Sequence, residues 1–369
     1  MSTGALSKVG GRATPLAGPN GRFGFVDDLR GIAAIIVVLS HMVWLLPEPL
    51  PRLEIGRVGV EIFFVLSGFV MAYTLERERV TGRFAAKFML RRSIRLDPPY
   101  WTVIVVELIV VAVLFGQSLP SLRVLALNVL YLQDLAGAHG IVGVAWTLCL
   151  ELQFYLVFVL LLWVVQRLPM SKWGARVLIF APPAVLSACV SHLIGKNDVI
   201  DELGGLGGLF IGPWYLFFLG VLVKWVLFDR LDWWIAAALP VFVVGLIVVQ
   251  GEPLVPYDNY VAVAGVAAAV VLVAVGWTPV FGCGLGSTPI TYLGKISYSL
   301  YLIHSTVGTN LIFKVEERFG TGLEYQVPAA VVAIALSLGA AHLLYVTVEA
   351  PSVRLAARGK SWRFSRSDG

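Results

Sequence analysis

The chain has 369 residues, 58% of them hydrophobic and only 14% charged, with a mean hydropathy of +0.83. That balance excludes an ordinary soluble globular domain and points to an all-α, polytopic integral membrane protein, since open strands cannot cross lipid with unpaired edges. The net charge of +5 is gathered in a few segments between apolar runs, which speaks for membrane topology and anionic small ligands rather than nucleic acid.

Residues 1–25 are polar and rich in Gly and Pro, and read as a flexible N-terminal segment. The first apolar run, FVDDLRGIAAIIVVLSHM (25–42), starts late, lacks a small-residue cleavage site and carries Arg30 and His41; it reads as a retained anchor. On a helix, eleven residues make about three turns and rise about 16 Å. Arg30 and His41 then share one face, with the cation at a membrane edge and the imidazole about halfway through a hydrocarbon core of about 30 Å.

Apolar runs recur near residues 29–46, 58–75, 98–116, 144–165, 177–194, 209–228, 232–249, 259–277, 295–313 and 328–347. Each approaches the roughly 20 residues of a membrane span, so about ten transmembrane helices are expected. The shorter piece 124–135 is expected to be interfacial or re-entrant. Seven Lys/Arg lie in ERERVTGRFAAKFMLRRSIR (76–95), read as a loop between the second and third spans, and three more in RLPMSKWGAR (167–176). Residues 351–369 form a basic tail with Arg354, Arg358, Lys360, Arg363 and Arg366. With an even number of spans, the positive-inside rule puts these segments and both termini in the cytoplasm. GKNDVIDELGG and GEPLVPYDN, acidic or neutral, fall outside. Cys149, Cys189 and Cys283 show neither paired nor metal-type spacing, so neither a disulfide framework nor a metal site is expected.

Ionisable side chains inside spans are costly and therefore functional candidates. They are His41, Glu107, Glu151, His304 and His342. Counted from the span ends, Glu151 lies about 10 Å below the exterior and His41 about 14 Å below it, so the two could meet, with His304 at a similar level. A carboxylate beside a histidine can hold one tautomer and make it a better base; alternatively, Glu151 and His304 only hydrogen-bond between helices. Glu107 shows no obvious partner, and His342 falls near the cytoplasmic interface. Arg92 and Arg95, three apart, are adjacent on one helical face and suit bidentate phosphate binding, or else serve as snorkelling topogenic charge.

VDDLRGIAAIIVVLSH resembles the R-x10-H signature of the membrane-bound acyltransferase family 3, which includes bacterial O-acetylases of surface polysaccharides. GVEIFFVLSGFVM (59–71), RRSIRLDPPYW (91–101), AWTLCLELQFYL (145–156), GKISYSLYLIH (294–304) and VEAPSVR (348–354) follow in the family's order. The resemblance implies an acyltransferase transmembrane domain over 26–350, in the multi-pass bacterial inner membrane. It implies an O-acyltransferase that moves acetyl from cytoplasmic acetyl-CoA to a hydroxyl, commonly of a carbohydrate or lipid-linked glycan. Arg30 and His41 fall on R-x10-H, Arg92 and Arg95 on R-x-x-R, and Glu151 on the acidic position after the tryptophan segment. His304 and Tyr298 of GKISYSLYLIH are further candidates. Asp28, Asp97 and Cys149 depart from the usual glycine, aromatic and small hydroxyl residue.

Residues and resemblance together suggest that Arg92 and Arg95 hold CoA phosphates at the cytoplasmic mouth, and that Arg30 steers the donor toward His41. His41 would act as general base, or carry the acyl group as an acyl-imidazole, with Glu151 orienting its ring. Competing readings are acylation of a small hydrophobic molecule such as a macrolide, a proton-coupled transporter or flippase, and a non-catalytic scaffold.

Overall fold

The computed structural model describes residues 23–43, 55–191, 209, 211–249, 259–286 and 288–358. Among them every regular element is helical. The helices are α1 (Gly24–Val43), α2 (Ile55–Leu75), α3 (Gly82–Phe115), α4 (Leu122–Val129), α5 (Trp146–Val165), α6 (Lys172–Cys189), α7 (Trp214–Phe228) and α8 (Trp233–Ala236). There follow α9 (Ala238–Val249), α10 (Asn259–Gly276), α11 (Pro279–Cys283), α12 (Thr288–His304), α13 (Asn310–Phe319), α14 (Leu323–Leu344) and α15 (Ala350–Arg358). π-Helical turns at Ser305–Thr309 and Tyr345–Glu349 join α12 to α13 and α14 to α15.

Among the described residues, four helical stretches are long and apolar enough to cross a membrane: Gly56–Leu75, Gly82–Phe115, Gly143–Val165 and Leu323–Arg358. Trp214–Phe228, Trp233–Val249 and Ala262–Gly276 are apolar but shorter. In α1, the charges of Asp27, Asp28 and Arg30 interrupt an otherwise apolar helix.

Three boundaries differ from those read off the sequence. The segment 76–95 is no loop from residue 82 onward: it is the first half of the 34-residue α3, N-capped by Thr81, whose side chain accepts from Phe84 N. Long Arg, Lys and Met side chains favour helix, and Pro98 and Pro99 are carried within it. Phe23, inside the segment read as flexible, is packed, its ring 5.5 Å from that of Phe69 and 5.0 Å from that of Phe281. The basic tail begins as helix α15, lying against α3. Residues 1–22, the acidic loops apart from Asn259, and 359–369 lie outside the described residues.

The core is built by α1 packing on α2 and α12, α2 on α7 and α10, and α12 on α14. Two crossings bring backbones into contact, which only residues without a β-carbon permit. A Cβ on Gly294 would overlap the Asp27 carbonyl where α12 crosses α1. At the α2–α7 crossing, a Cβ on Gly220 would overlap the carbonyl of Val65, and one on Gly68 that of Phe217. Phe154 of α5 stacks on Phe217 at 3.9 Å between ring centres, tying α5 to the same core.

α4 has eight residues, too few to span, in keeping with a re-entrant or interfacial piece. Buried Asn128 closes the irregular chain after it, donating to the carbonyls of Val124 and His139 at 3.0 Å and accepting from Ile141 N at 2.8 Å. The backbone carbonyl of Asn128 in turn accepts from Tyr100 of α3. Non-helical backbone is tolerated within a membrane domain when its polar groups are satisfied this way.

Candidate active site

The α1–α12 crossing and the two ends of R-x-x-R converge on one cavity of about 80 Å³, lined by Arg30, Ser67, Arg92, Arg95, Glu151 and Tyr298 among others. Glu151 accepts from Ser67 Oγ at 2.5 Å, from Arg92 at 3.3 Å and from the Tyr155 hydroxyl. Arg92 also donates to the Tyr155 oxygen and lies 4.1 Å from the centre of that ring. Tyr298 lines the cavity with its ring while its hydroxyl donates to the Leu96 carbonyl at 2.8 Å, fastening α12 to α3. Behind the arginines, buried Glu349 accepts from Ser299 N at 3.2 Å and Ser299 Oγ at 2.6 Å. Three guanidiniums thus face two carboxylates. The Nε atoms of Arg30, Arg92 and Arg95 are all buried without a hydrogen-bond partner. Buried N–H donors left open in this way suit an anion with several oxygens.

His41 and Glu151, expected to meet, line different cavities and share no hydrogen bond. Its Nδ1 lies 2.9 Å from the Val37 carbonyl, one turn back on α1. A carbonyl only accepts, so Nδ1 carries the hydrogen, and in the neutral ring the lone pair is on Nε2. The ionisable ring in contact is that of His304, with centres 4.9 Å apart and planes at 76°. His41 lines a second cavity, of about 390 Å³, with Ser40, Gly56, Arg57, Val144 and Trp146. Val60 and Tyr301 line both this cavity and that of the arginines, so the two adjoin along α1. Tyr301 closes the wall between them, its hydroxyl 2.7 Å from Thr147 Oγ1 and 3.1 Å from the Val144 carbonyl.

The separation of His41 and Glu151 has a physical source. Counting from the hydropathy edge assumes that the fourth apolar run starts at the membrane surface. Here Val144 and Trp146 already stand beside His41, because the irregular chain before α5 is folded into the protein, and Glu151 five residues further on reaches Arg92. Sequence reasoning found no partner for Glu107, yet Asn310 Nδ2 donates to its Oε1 at 3.1 Å. His342 shares a hydrogen bond with the Tyr292 hydroxyl at an exposed position.

Reasoning from sequence also left three buried carboxylates without a role. Glu61 lies within the expected second span, where the rule for intramembrane charges flags it, and its Oε2 is buried without a partner. Glu349 stood inside the quoted VEAPSVR motif. Asp28, one of the departures, is fully buried and accepts from Leu285 N at 2.6 Å and Thr291 Oγ1 at 3.0 Å, holding the chain before α12 to α1. Asp97, another, accepts from the Tyr131 hydroxyl at 3.0 Å and from Ser93. It lines a third cavity, of about 380 Å³, that shares Arg92, Glu151 and Tyr298 with the first. Cys149 is buried packing.

A family model described as an acyltransferase domain matches residues 23–346. BcsY of Komagataeibacter xylinus, whose name describes a membrane-bound transacylase, is 28% identical over 90% of this chain and 83% of its own. The exopolysaccharide production protein ExoZ of Rhizobium meliloti is 27% identical over 84% of this chain and 92% of its own. The peptidoglycan O-acetyltransferase OatA of Listeria monocytogenes is 31% identical over 40% of this chain and 24% of its own. No solved structure matches the chain.

Proposed function

The chain belongs to the acyltransferase family 3 of membrane enzymes, and on that premise we propose that it moves an acetyl or other short acyl group from cytoplasmic acyl-CoA to a hydroxyl of a cell-surface or exported carbohydrate. The observation that carries the reading is the convergence of Arg30, Arg92 and Arg95, with open buried N–H groups, on a cavity that adjoins the one holding His41. The names of ExoZ and OatA, an exopolysaccharide protein and a peptidoglycan O-acetyltransferase, favour a carbohydrate acceptor. In the same reading the chain crosses the bacterial inner membrane about ten times with both termini in the cytoplasm.

The three arginines bind the phosphates of the donor, and the thioester arm reaches along α1 toward His41, about 16 Å further up the helix. His41 Nε2 takes the proton of the acceptor hydroxyl. The freed oxygen attacks the thioester carbonyl carbon, the carbon–sulfur bond breaks with its electron pair going to sulfur, and the proton returns to the thiolate. Tyr301, fixed by Thr147 and Val144, walls the passage between donor and base.

The test is acyl transfer by purified protein in lipid nanodiscs from labelled acetyl-CoA to the cell-envelope glycan fraction, with the ester located by mass spectrometry. General-base action contributes about 10² to 10⁴ in rate, so His41→Ala should lose that much turnover while staying folded. An unmodified glycan pool, or a His41→Ala variant as fast as wild type, would overturn the reading; a transporter would leave its cargo unesterified.

A further inference from the structure

His304 ends α12 fully buried. Its Nδ1 lies 2.8 Å from the Tyr301 carbonyl and 3.2 Å from that of Leu300, so, as at His41, Nδ1 carries the hydrogen and Nε2 bears the lone pair. That Nε2 is buried and has no hydrogen-bond partner. A bare acceptor in an apolar interior is unfavourable, and natural proteins rarely keep one without a reason. The helix changes to a π turn at the next residue, Ser305, an irregularity that recurs at functional sites. Within that turn, Gly308 leaves room for Met42, the neighbour of His41; a Cβ there would overlap the methionine side chain.

The two imidazoles are in contact, near-perpendicular, each with Nδ1 committed to its own helix. Among the described residues no carboxylate hydrogen-bonds either ring. The position that a carboxylate was expected to fill beside His41 is therefore taken by a second imidazole.

We infer that His304 is the charge-stabilising partner of His41, a positioning residue that acts through the base without touching substrate. This rests on the reading of His41 as general base. When His41 Nε2 takes the acceptor's proton, the imidazolium it forms lies against the His304 ring, whose unpartnered Nε2 supplies a buried lone pair to the new positive charge. The transferred proton stays on His41 Nε2 and passes from there to the departing thiolate, so nothing is gained or lost over a turnover.

The experiment compares wild type with His304→Leu, His304→Gln and His304→Asn, purified in nanodiscs, using acetyl-CoA and the cell-envelope glycan fraction. The glutamine carbonyl can reach the place of Nε2, whereas asparagine reaches only that of Nδ1. The leucine and asparagine variants should lose about 10- to 100-fold in kcat with the acetyl-CoA KM within about twofold, the range typical of partners that orient a reacting group. The glutamine variant should stay within about fivefold of wild type. A leucine variant that is monodisperse and as fast as wild type would overturn the inference, as would glutamine and asparagine variants that are equally slow. Should leucine not fold, the glutamine–asparagine pair decides alone. Wild type that transfers no acetyl would instead overturn the general-base reading, a separate outcome.

Discussion

Replacing Glu151 separates two roles that a carboxylate in this site can have. Its Oε1 accepts from Ser67, Arg92 and Tyr155, and it has no hydrogen bond to His41. Its side chain is 22% exposed and that of Arg92 19%. Stranding one partner of a fully buried ion pair costs about 3–5 kcal/mol, and one-fifth exposure lets water relieve part of that. Glu151→Ala should therefore cost about 2–3 kcal/mol of stability, and Glu151→Gln, whose amide oxygen still accepts, about 1 kcal/mol. Removing the negative charge also makes the cavity more attractive to a polyanion, by about 1 kcal/mol at an effective dielectric of 20–40, or roughly fivefold in affinity. For Glu151→Gln the expected result is an acetyl-CoA KM lowered up to about fivefold and a kcat within about tenfold of wild type. Steady-state kinetics with thermal unfolding in the same nanodiscs measures both. A kcat as low as that of His41→Ala with an unchanged KM would refute the argument, because it would place Glu151 on the base.

The double variant Arg92→Ala/Arg95→Ala should raise the acetyl-CoA KM, and the rise should narrow as salt screens the wild-type attraction; isothermal titration with CoA at two ionic strengths checks it. Lys224 joins α7 to Glu76 at 2.5 Å and Asp229 at 2.8 Å, with Glu76 side chain only 1% exposed. Lys224→Met should destabilise the protein by about 2–4 kcal/mol, since Arg176, 3.0 Å from Glu76, remains as a counter-ion. Its unfolding temperature should drop, and Glu76→Gln added to it should restore part of the loss; no recovery in the double variant would count against a stranded charge.

Much of the site was written in short-range patterns. Arg30 and His41 share a face because eleven residues close about three helical turns, and Arg92 and Arg95 share one because three residues nearly close a turn. Periodicity of this kind needs no knowledge of the rest of the chain. The ion pair of Glu151 with Arg92 and the contact of His41 with His304 join residues 59 and 263 positions apart. Such pairs depend on which helices cross, and the crossings depend on backbone approach at Gly31, Gly68, Gly220 and Gly294.

Composition and hydropathy alone determined an all-helical membrane protein, because lipid offers backbone groups no other partner. The order of the motifs also carried the acyltransferase family without any coordinates. Only the tertiary structure decided that α5 starts beside the cavity of His41, that the basic segment from residue 82 on is the first half of α3, and that His41 is faced by an imidazole in place of a carboxylate. Each of these turns on where irregular chain is folded in and which residues lack a side chain at a crossing, properties of helices in contact that no single helix's pattern contains.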